Sequence, residues 1–537
     1  MSLLRRRIGG ESTGRGWWGG AANRTRAIGL SVVFVIGVML TLAAQTPGLA
    51  ISLGLAAAVY VGTIRTHHGS ILERVRRWWW WRETRRAGRH VFAPVEMRPD
   101  VDLEGLPRAE RKDVERGLAA YREWPDGVEG LYWLQAAAGR PGIAWHVPTG
   151  EPAYMSVAFS VSGAVRGLEA DEVVNGVSMA FGRMVARLAS RSFLPSGMQV
   201  LTRAVPVDSA RHEAWVLDHL SESTPEQLLR SYDDVVRQVG RGGLAQRHFV
   251  VLKWPLSTTF RTEAARHAPG QMGWLELMHR QIPIVRRQLQ AARLGEVSVL
   301  TAAQALAVIR HQQVPEWPLD EAGTIGATGA WFPSVDEFSY TQVTGPTPDG
   351  GLATWLHRTA VVNADDLDTG ERTAMWLTPL LGRMDDQIMR TVSIQFEGVP
   401  AGVARHAAMA DVTADIAEIT GQQEKGSIDV VEAQARKQAA QSRLRDLEPG
   451  GGYAGAGWAM HITISAQNRE ELSAASARLA EAAEESGISR LSWLEAHHGA
   501  AQSYTWPMAR GMAEVGQTTS ARLETLVAGQ KSKEALA

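Results

Sequence analysis

Two uncharged apolar runs stand close together near the N-terminus. Ala27 to Ala44 gives 18 positions without a charge and Leu49 to Ile64 gives 16, separated by Gln45-Thr46-Pro47-Gly48. At about 1.5 Å rise per residue, an 18-residue helix is about 27 Å long, close to the hydrocarbon thickness of a bilayer. The second run is shorter and draws on its flanks to span. Proline and glycine between the runs favour a turn, so residues 27–64 are expected to form a transmembrane helical hairpin. Basic residues ahead of the first run also suit a signal peptide, but an immediate second run argues against cleavage.

The pattern changes beyond residue 150, where short apolar runs alternate with stretches of helical periodicity. Tyr154–Val161, Met198–Val205, His248–Trp254 and Val297–Leu300 read as strands; 173–188, 224–239 and 274–293 read as helices. Further on, 355–362, 391–397 and 458–465 read as strands, with a helix over 371–383, two long polar helices over 401–420 and 427–447, and a helix begun by Asn468 and Glu471. Residues 488–494 read as a closing strand. The expected fold class is α+β: the N-terminal transmembrane hairpin, then a cytoplasmic α/β region with ferredoxin-like (split βαβ) units and a helical-hairpin insertion. The expected segments are a basic N-terminus (1–26), the hairpin (27–64), a basic Trp/Arg juxtamembrane segment (65–95) and a first α/β domain (96–313). A Pro/Gly/Asp/Thr-rich linker (314–351), a second, ferredoxin-like domain (352–514, insertion 401–447) and a polar tail (515–537) follow.

Charge changes the picture of the first 95 residues. They hold 14 Arg and no Lys against 3 Glu and no Asp, a net +11, so with −1 overall the remainder carries −12. Arg5, Arg6, Arg7, Arg15, Arg24 and Arg26 precede the hairpin, and Arg65, Arg74, Arg76 and Arg77 follow it. The positive-inside rule then puts both ends, and both termini, on the cytoplasmic side of a bacterial inner membrane. Trp17 and Trp18 before the hairpin, and Arg74, Arg76, Arg77, Trp78, Trp79, Trp80, Trp81 and Arg82 after it, form an expected membrane-interface collar. Indole rings and guanidinium groups suit the headgroup layer, so the phospholipid bilayer is the expected partner. Basic residues interleaved with aromatics can also grip single-stranded nucleic acid, but adjacency to the hairpin favours lipid.

The chain contains no cysteine, which excludes thiolate chemistry, zinc fingers and iron–sulfur clusters. No Gly-Lys pair occurs, so a standard P-loop is excluded; Gly421 to Ser427 reads as a turn between helices. His212-Glu213 lacks the second histidine four residues on, and His219 is too far along. His67-His68 and His497-His498 are adjacent pairs whose side chains diverge. Asp366-Leu367-Asp368 matches the Asp-x-Asp string through which many glycosyltransferases hold a metal and a nucleotide-sugar, but beside Asn363 and Asp365 it also reads as a capping loop. Asp385-Asp386 reads as solvated. No catalytic, metal or cofactor-binding residue is assigned, and no cofactor is expected.

The segments TAMWLTPLLGRMDDQIMRTVSIQFEGVPAGVARHAAMADVTADI (373–416) and EAQARKQAAQSRLRDLEPGGGYAGAGWAMHITISAQNREELSAASARLAEAAEESG (432–487), together with the early hairpin and the order of strands, resemble an actinobacterial family of two-helix integral membrane proteins encoded beside PrgI-like membrane proteins and VirB-type conjugation ATPases. The resemblance covers most of the chain. It implies a non-catalytic structural subunit of a type IV secretion-like or conjugative complex, an oligomeric assembly in which the VirB-type ATPase and the PrgI-like protein are partners in trans. The chain resembles the E component of type VII secretion more weakly. A membrane-associated glycosyltransferase using Asp366 and Asp368 is the alternative of another class.

Overall fold

A computed structural model describes the chain except residues 1–2, 10–20, 64, 67–68, 103–106, 150, 164, 166–168, 207–214, 217, 222, 241–243, 318, 320–330, 383, 385–387, 425–429, 449–451 and 512–537. Trp17, Trp18, His67, His68, His212, Glu213, Asp385, Asp386 and the expected tail therefore lie outside the described residues. Strand β1 (Arg6–Ile8) comes first, then helix α1 (Ala21–Gly62). Helix α1 breaks at Gln45, whose φ of 45° is left-handed, next to Pro47. Its two limbs fold against each other. A Cβ on Gly29 would stand 2.8 Å from Val59, one on Gly37 3.0 Å from Ser52, and one on Gly48 2.2 Å from the Leu40 carbonyl. Small residues thus let the two backbones approach closely. Gln45–Gly62 is long and apolar enough to cross a membrane; Gly29–Leu42 is apolar but shorter.

A two-strand turn, β2 (Arg65–Thr66) with β3 (Gly69–Ser70), leads into α2 (Ile71–Arg86). The body follows as β4 (Val91–Pro94), α3 (Arg108–Leu118), β5 (Tyr121–Arg122), β6 (Leu131–Gln135), β7 (Ile143–His146), β8 (Tyr154–Val161), α4 (Asp171–Arg187) and β9 (Gly197–Pro206). Next come α5 (Glu226–Gly240), β10 (Leu244–Pro255), α6 (Thr258–Ala265), α7 (Gly270–Ala291), β11 (Val297–Val299) and α8 (Ala302–Gln313). The second half contributes β12 (Ser334–Asp336), β13 (Thr341–Pro346), β14 (Leu352–Val362), β15 (Gly370–Arg372), α9 (Thr378–Leu381) and β16 (Met389–Val399). It ends with α10 (Ala401–Glu424), α11 (Val430–Asp446), β17 (Gly455–Ala466), α12 (Arg469–Glu485), β18 (Ser492–Trp493) and α13 (His498–Gln502). The protein is α+β with a mixed sheet: among the described residues every pairing in the body is antiparallel except β4 with β5.

One 14-stranded sheet runs through both halves, in the order β5-β4-β12-β13-β14-β17-β16-β9-β10-β8-β7-β6, with β11 joined at β8 and β18 at β14. The halves meet where β9 pairs with β16 from Gly197↔Glu397 to Ala204↔Arg390. The expected linker at 314–351 is corrected by this topology, since its Pro- and Gly-rich stretch supplies the turns of the β12–β13–β14 meander. The helix expected over 371–383 is likewise replaced by β15, a turn and the short α9. Gly370–Arg372 finds a strand partner in β1, a long-range pairing that no local periodicity reveals.

Period-2 alternation gives the central strands two unlike faces. Met198, Val200, Val392, Ile394, Met460 and Ile462 point to one side. Two cores pack there, one with α4 and α7 (Met184, Leu277, Ile282, Leu289) and one with α12 (Leu472, Leu479). The other side presents Gln199, Arg203, Thr391, Ser393, Gln395 and Thr463, all buried.

The cover on that polar side is the end of α13, a 3-10 turn (Ser503–Thr505) and irregular chain, buried at every position from Ala501 to Gly511. Buried backbone without a ladder needs other partners, and the sheet's side chains supply them. Gln199 donates from Nε2 to the carbonyls of Tyr504 and Trp506 (3.0 Å each) and accepts the Ala509 N–H at 2.7 Å. Ser393 donates to Tyr504 O at 2.8 Å, Gln395 to Arg510 O, and the Tyr154 hydroxyl to Met508 O at 3.1 Å. Arg510 closes the layer by donating to the carbonyls of Gly127 (2.7 Å) and Glu129 (2.9 Å). Replacing Gln199 by leucine keeps the volume but strands the Ala509 N–H and the Trp506 carbonyl; we expect a loss on the order of 3 kcal/mol, measured by denaturant unfolding of the purified chain.

Candidate membrane interface

The candidate interface is built around α2. Ser70 caps it, accepting from Glu73 N–H at 3.2 Å while the Glu73 carboxylate accepts from Ser70 N–H at 3.0 Å, and Arg85 and Arg86 sit at its C-terminal end, where the helix dipole favours cations. One face of α2 docks on the body. The Arg77 guanidinium donates to Trp493 O at 3.1 Å, and Arg74 lies 3.4 Å from the buried carboxylate of Glu495. Trp81 donates from Nε1 to Asp336 O at 3.3 Å and meets Phe338 edge-on, while Trp80 lies over His497 at 4.1 Å. The opposite face is open: Ile71, Leu72, Val75, Trp78 and Trp79 are 40–60 % exposed. Arg76, Arg82 and Arg86 accompany them, with the Arg82 guanidinium 5.2 Å from the Trp78 ring centre.

The expected collar is thus divided. Arg74, Arg77 and Trp81 are ties to the protein; Arg76, Trp78, Trp79 and Arg82 look outward; Trp80 does both. The basic residues ahead of α1 divide in the same way. Arg6 pairs with Asp446 at 3.0 Å and Arg7 with Glu371 at 3.0 Å and with Gln438. These pairs hold β1 in register with β15, Arg443 donates to Gly9 O at 3.1 Å, and Leu4 N–H reaches Asn175 Oδ1 at 2.7 Å. Both flanks of α1 are therefore fastened to one body. The charge pattern alone places Arg6 and Arg7 on the expected cytoplasmic flank of the hairpin and gives no sign of Asp336, Glu371, Asp446 or Glu495. Their signal lies in acidic partners hundreds of residues away.

Burial tunes the docked groups. It lowers the His497 pKa to about 4, reinforced by Arg77 and then Arg76, and it lowers Arg358, whose guanidinium lies 3.9 Å from the Trp493 ring centre, to about 10. His498 is held neutral, well below its ordinary value, chiefly by burial, and its Nδ1 accepts the Thr359 N–H at 3.1 Å. Asp336 accepts Gly499 N–H at 2.7 Å beside a cavity of about 20 Å³, room for one water. Desolvation there pushes its carboxyl up to about 7.

The remaining sequence candidates are placed as follows. Asp366 is buried, its carboxylate accepting Asn363 N–H at 3.0 Å and pairing with Arg490, whereas the neighbouring Asp368 side chain is exposed. Asp366 therefore serves as a cap and an ion-pair partner. His219 stacks on Trp215, and His497 and His498 diverge. Among the described residues no group of three His, Asp or Glu side chains is arranged to hold a metal ion. No protein-family model and no curated protein matches this chain.

These shifts set the pH response of the docked helix. A depressed histidine pKa stabilises the fold fully above about 6.5, and this is lost as pH falls toward about 4. Because His497 keeps some exposure, the loss at pH 5 is on the order of 1 kcal/mol. Asp336 has the opposite sign, since a raised carboxyl pKa costs stability as pH rises toward about 7. Melting curves should show His497→Gln with a smaller drop between pH 7 and 5 than the parent, and Asp336→Asn gaining on the parent between pH 5 and 8.

Proposed function

We propose that the protein is a non-catalytic, membrane-anchored structural subunit of a type IV secretion-like or conjugative complex, whose two-limbed α1 is a transmembrane hairpin with both flanks, and both termini, on the cytoplasmic side. The observation that carries this reading is the fastening of both flanks of α1 to one body. A hairpin so held enters and leaves a bilayer on the same face. The exposed apolar residues along its limbs, such as Phe34 (72 %) and Leu53 (64 %), support immersion in hydrocarbon.

We read the second half as a ferredoxin-like unit, supported by the strand order β18-β14-β17-β16 with α10 and α11 inserted between β16 and β17. The α10–α11 pair is the motor-docking candidate: α10 turns Val403, Met409 and Ile416 to solvent. A separate VirB-type ATPase and a PrgI-like membrane protein are the partners this role requires. The engagement of the Asp366 carboxylate by Asn363 and Arg490 favours the non-catalytic reading over the glycosyltransferase alternative.

A mild-detergent pull-down of the tagged full-length chain from its native membrane, with mass spectrometry of co-purifying proteins, tests the role. Recovery of a VirB-type ATPase, reduced at least tenfold by Val403→Glu with Ile416→Glu, is the expected result. Recovery of type VII secretion components instead would overturn the conjugative reading.

A further inference from the structure

Helix α2 turns an apolar face away from the body. Its arginines Arg74 and Arg77 are turned toward the body, while Ile71, Leu72, Val75, Trp78 and Trp79 are turned away from it. Among the described residues these side chains keep 40–60 % of their surface exposed, and a contiguous apolar stripe left in water is unfavourable. Its positions recur at i, i+3, i+4 and i+7, so they form one stripe along the helix. Arg76, Arg82 and Arg86 share the exposed side, with Glu83 the one acid among its exposed residues. The helix begins only nine positions after α1 ends at Gly62, so it lies where the hairpin meets the body.

Resting on the proposed anchoring of α1, we infer that α2 lies flat on the bilayer surface and that its outward face takes anionic phospholipid. Leu72, Val75, Trp78 and Trp79 enter the boundary between headgroups and acyl chains, and Arg76, Arg82 and Arg86 meet the phosphates and the negative surface charge. The helix is then a spacer clamped on two sides: polar ties hold it to β18 and β12, and lipid covers the rest. A bilayer is favoured over a nucleic-acid strand because the face is mainly aliphatic at Ile71, Leu72 and Val75, whereas a strand needs stacking platforms set in a basic groove.

Because the chain has no cysteine, Val75→Cys and Phe34→Cys each give a unique site for an environment-sensitive fluorophore on the full-length protein in nanodiscs. The expected result is a blue-shifted Val75 label in phosphatidylcholine/phosphatidylglycerol discs and a solvent-like one in phosphatidylcholine discs. The shift should be lost in the Arg76→Gln/Arg82→Gln/Arg86→Gln variant. Equal shifts in both discs would overturn the anionic preference. A solvent-like Val75 label in both, beside a Phe34 label in hydrocarbon, would overturn the role of α2 while leaving the anchor intact. Both labels in water would remove the anchor itself, and a Val75 shift seen only on adding a single-stranded oligonucleotide would assign the face to nucleic acid.

Discussion

The ties that hold both flanks of α1 to one body are the constraint on which the proposed membrane orientation depends. Arg6 and Arg7 bind Asp446 and Glu371 ahead of the helix; Arg74 and Arg77 bind Glu495 and the Trp493 carbonyl after it. Exposed ion pairs contribute little singly, so the net gain from Arg6 and Arg7 comes through the β1–β15 ladder they flank. The Arg74–Glu495 pair differs because Glu495 is buried, and a buried carboxylate that loses its cation is costly. Strand addition on one flank and a capped, docked helix on the other tie both flanks of α1 to the same sheet.

That sheet is held together at its middle by an unusual division of labour. One face of β9, β16 and β17 is apolar and carries two cores side by side; the other is lined with amides, hydroxyls and an arginine. The polar lining matches the 501–511 segment, whose backbone groups beyond α13 have no ladder of their own. Both halves of the chain contribute, Gln199 from the first and Ser393 and Gln395 from the second, so the covering segment also fastens the β9–β16 junction. The same logic applies to His357, bonded to Ser465 Oγ at 2.9 Å and Gln313 O at 3.0 Å and kept neutral by burial at a pKa lowered to about 3.

Periodicity made much of this legible. The strands at 154–161, 198–205, 248–254, 391–397 and 458–465, and the helix opened by Asn468 and Glu471, stand where alternation and capping signals put them. So does the break at Gln45, beside Pro47-Gly48. What escaped the sequence depends on distant partners. Glu371 and Arg372 look helical until Arg6–Ile8 is there to pair with them. Residues 334–346 look like linker until β4 and β14 flank them in the sheet. The Trp/Arg collar reads as one basic aromatic surface because sequence carries no sign of which arginines meet Glu495 or the Trp493 carbonyl. Buried polar residues on central strands are the feature that composition alone hides most completely.

The most direct measurement of the shared side of the two flanks is labelling of single-cysteine variants by a membrane-impermeant maleimide on intact cells and after lysis. The account predicts that Thr46→Cys, in the exposed turn of α1, reacts on intact cells, while Leu4→Cys before the helix and Asp113→Cys in the body react only after lysis. Reaction of Leu4→Cys but not Asp113→Cys on intact cells would place the two flanks on opposite sides of the membrane and contradict it.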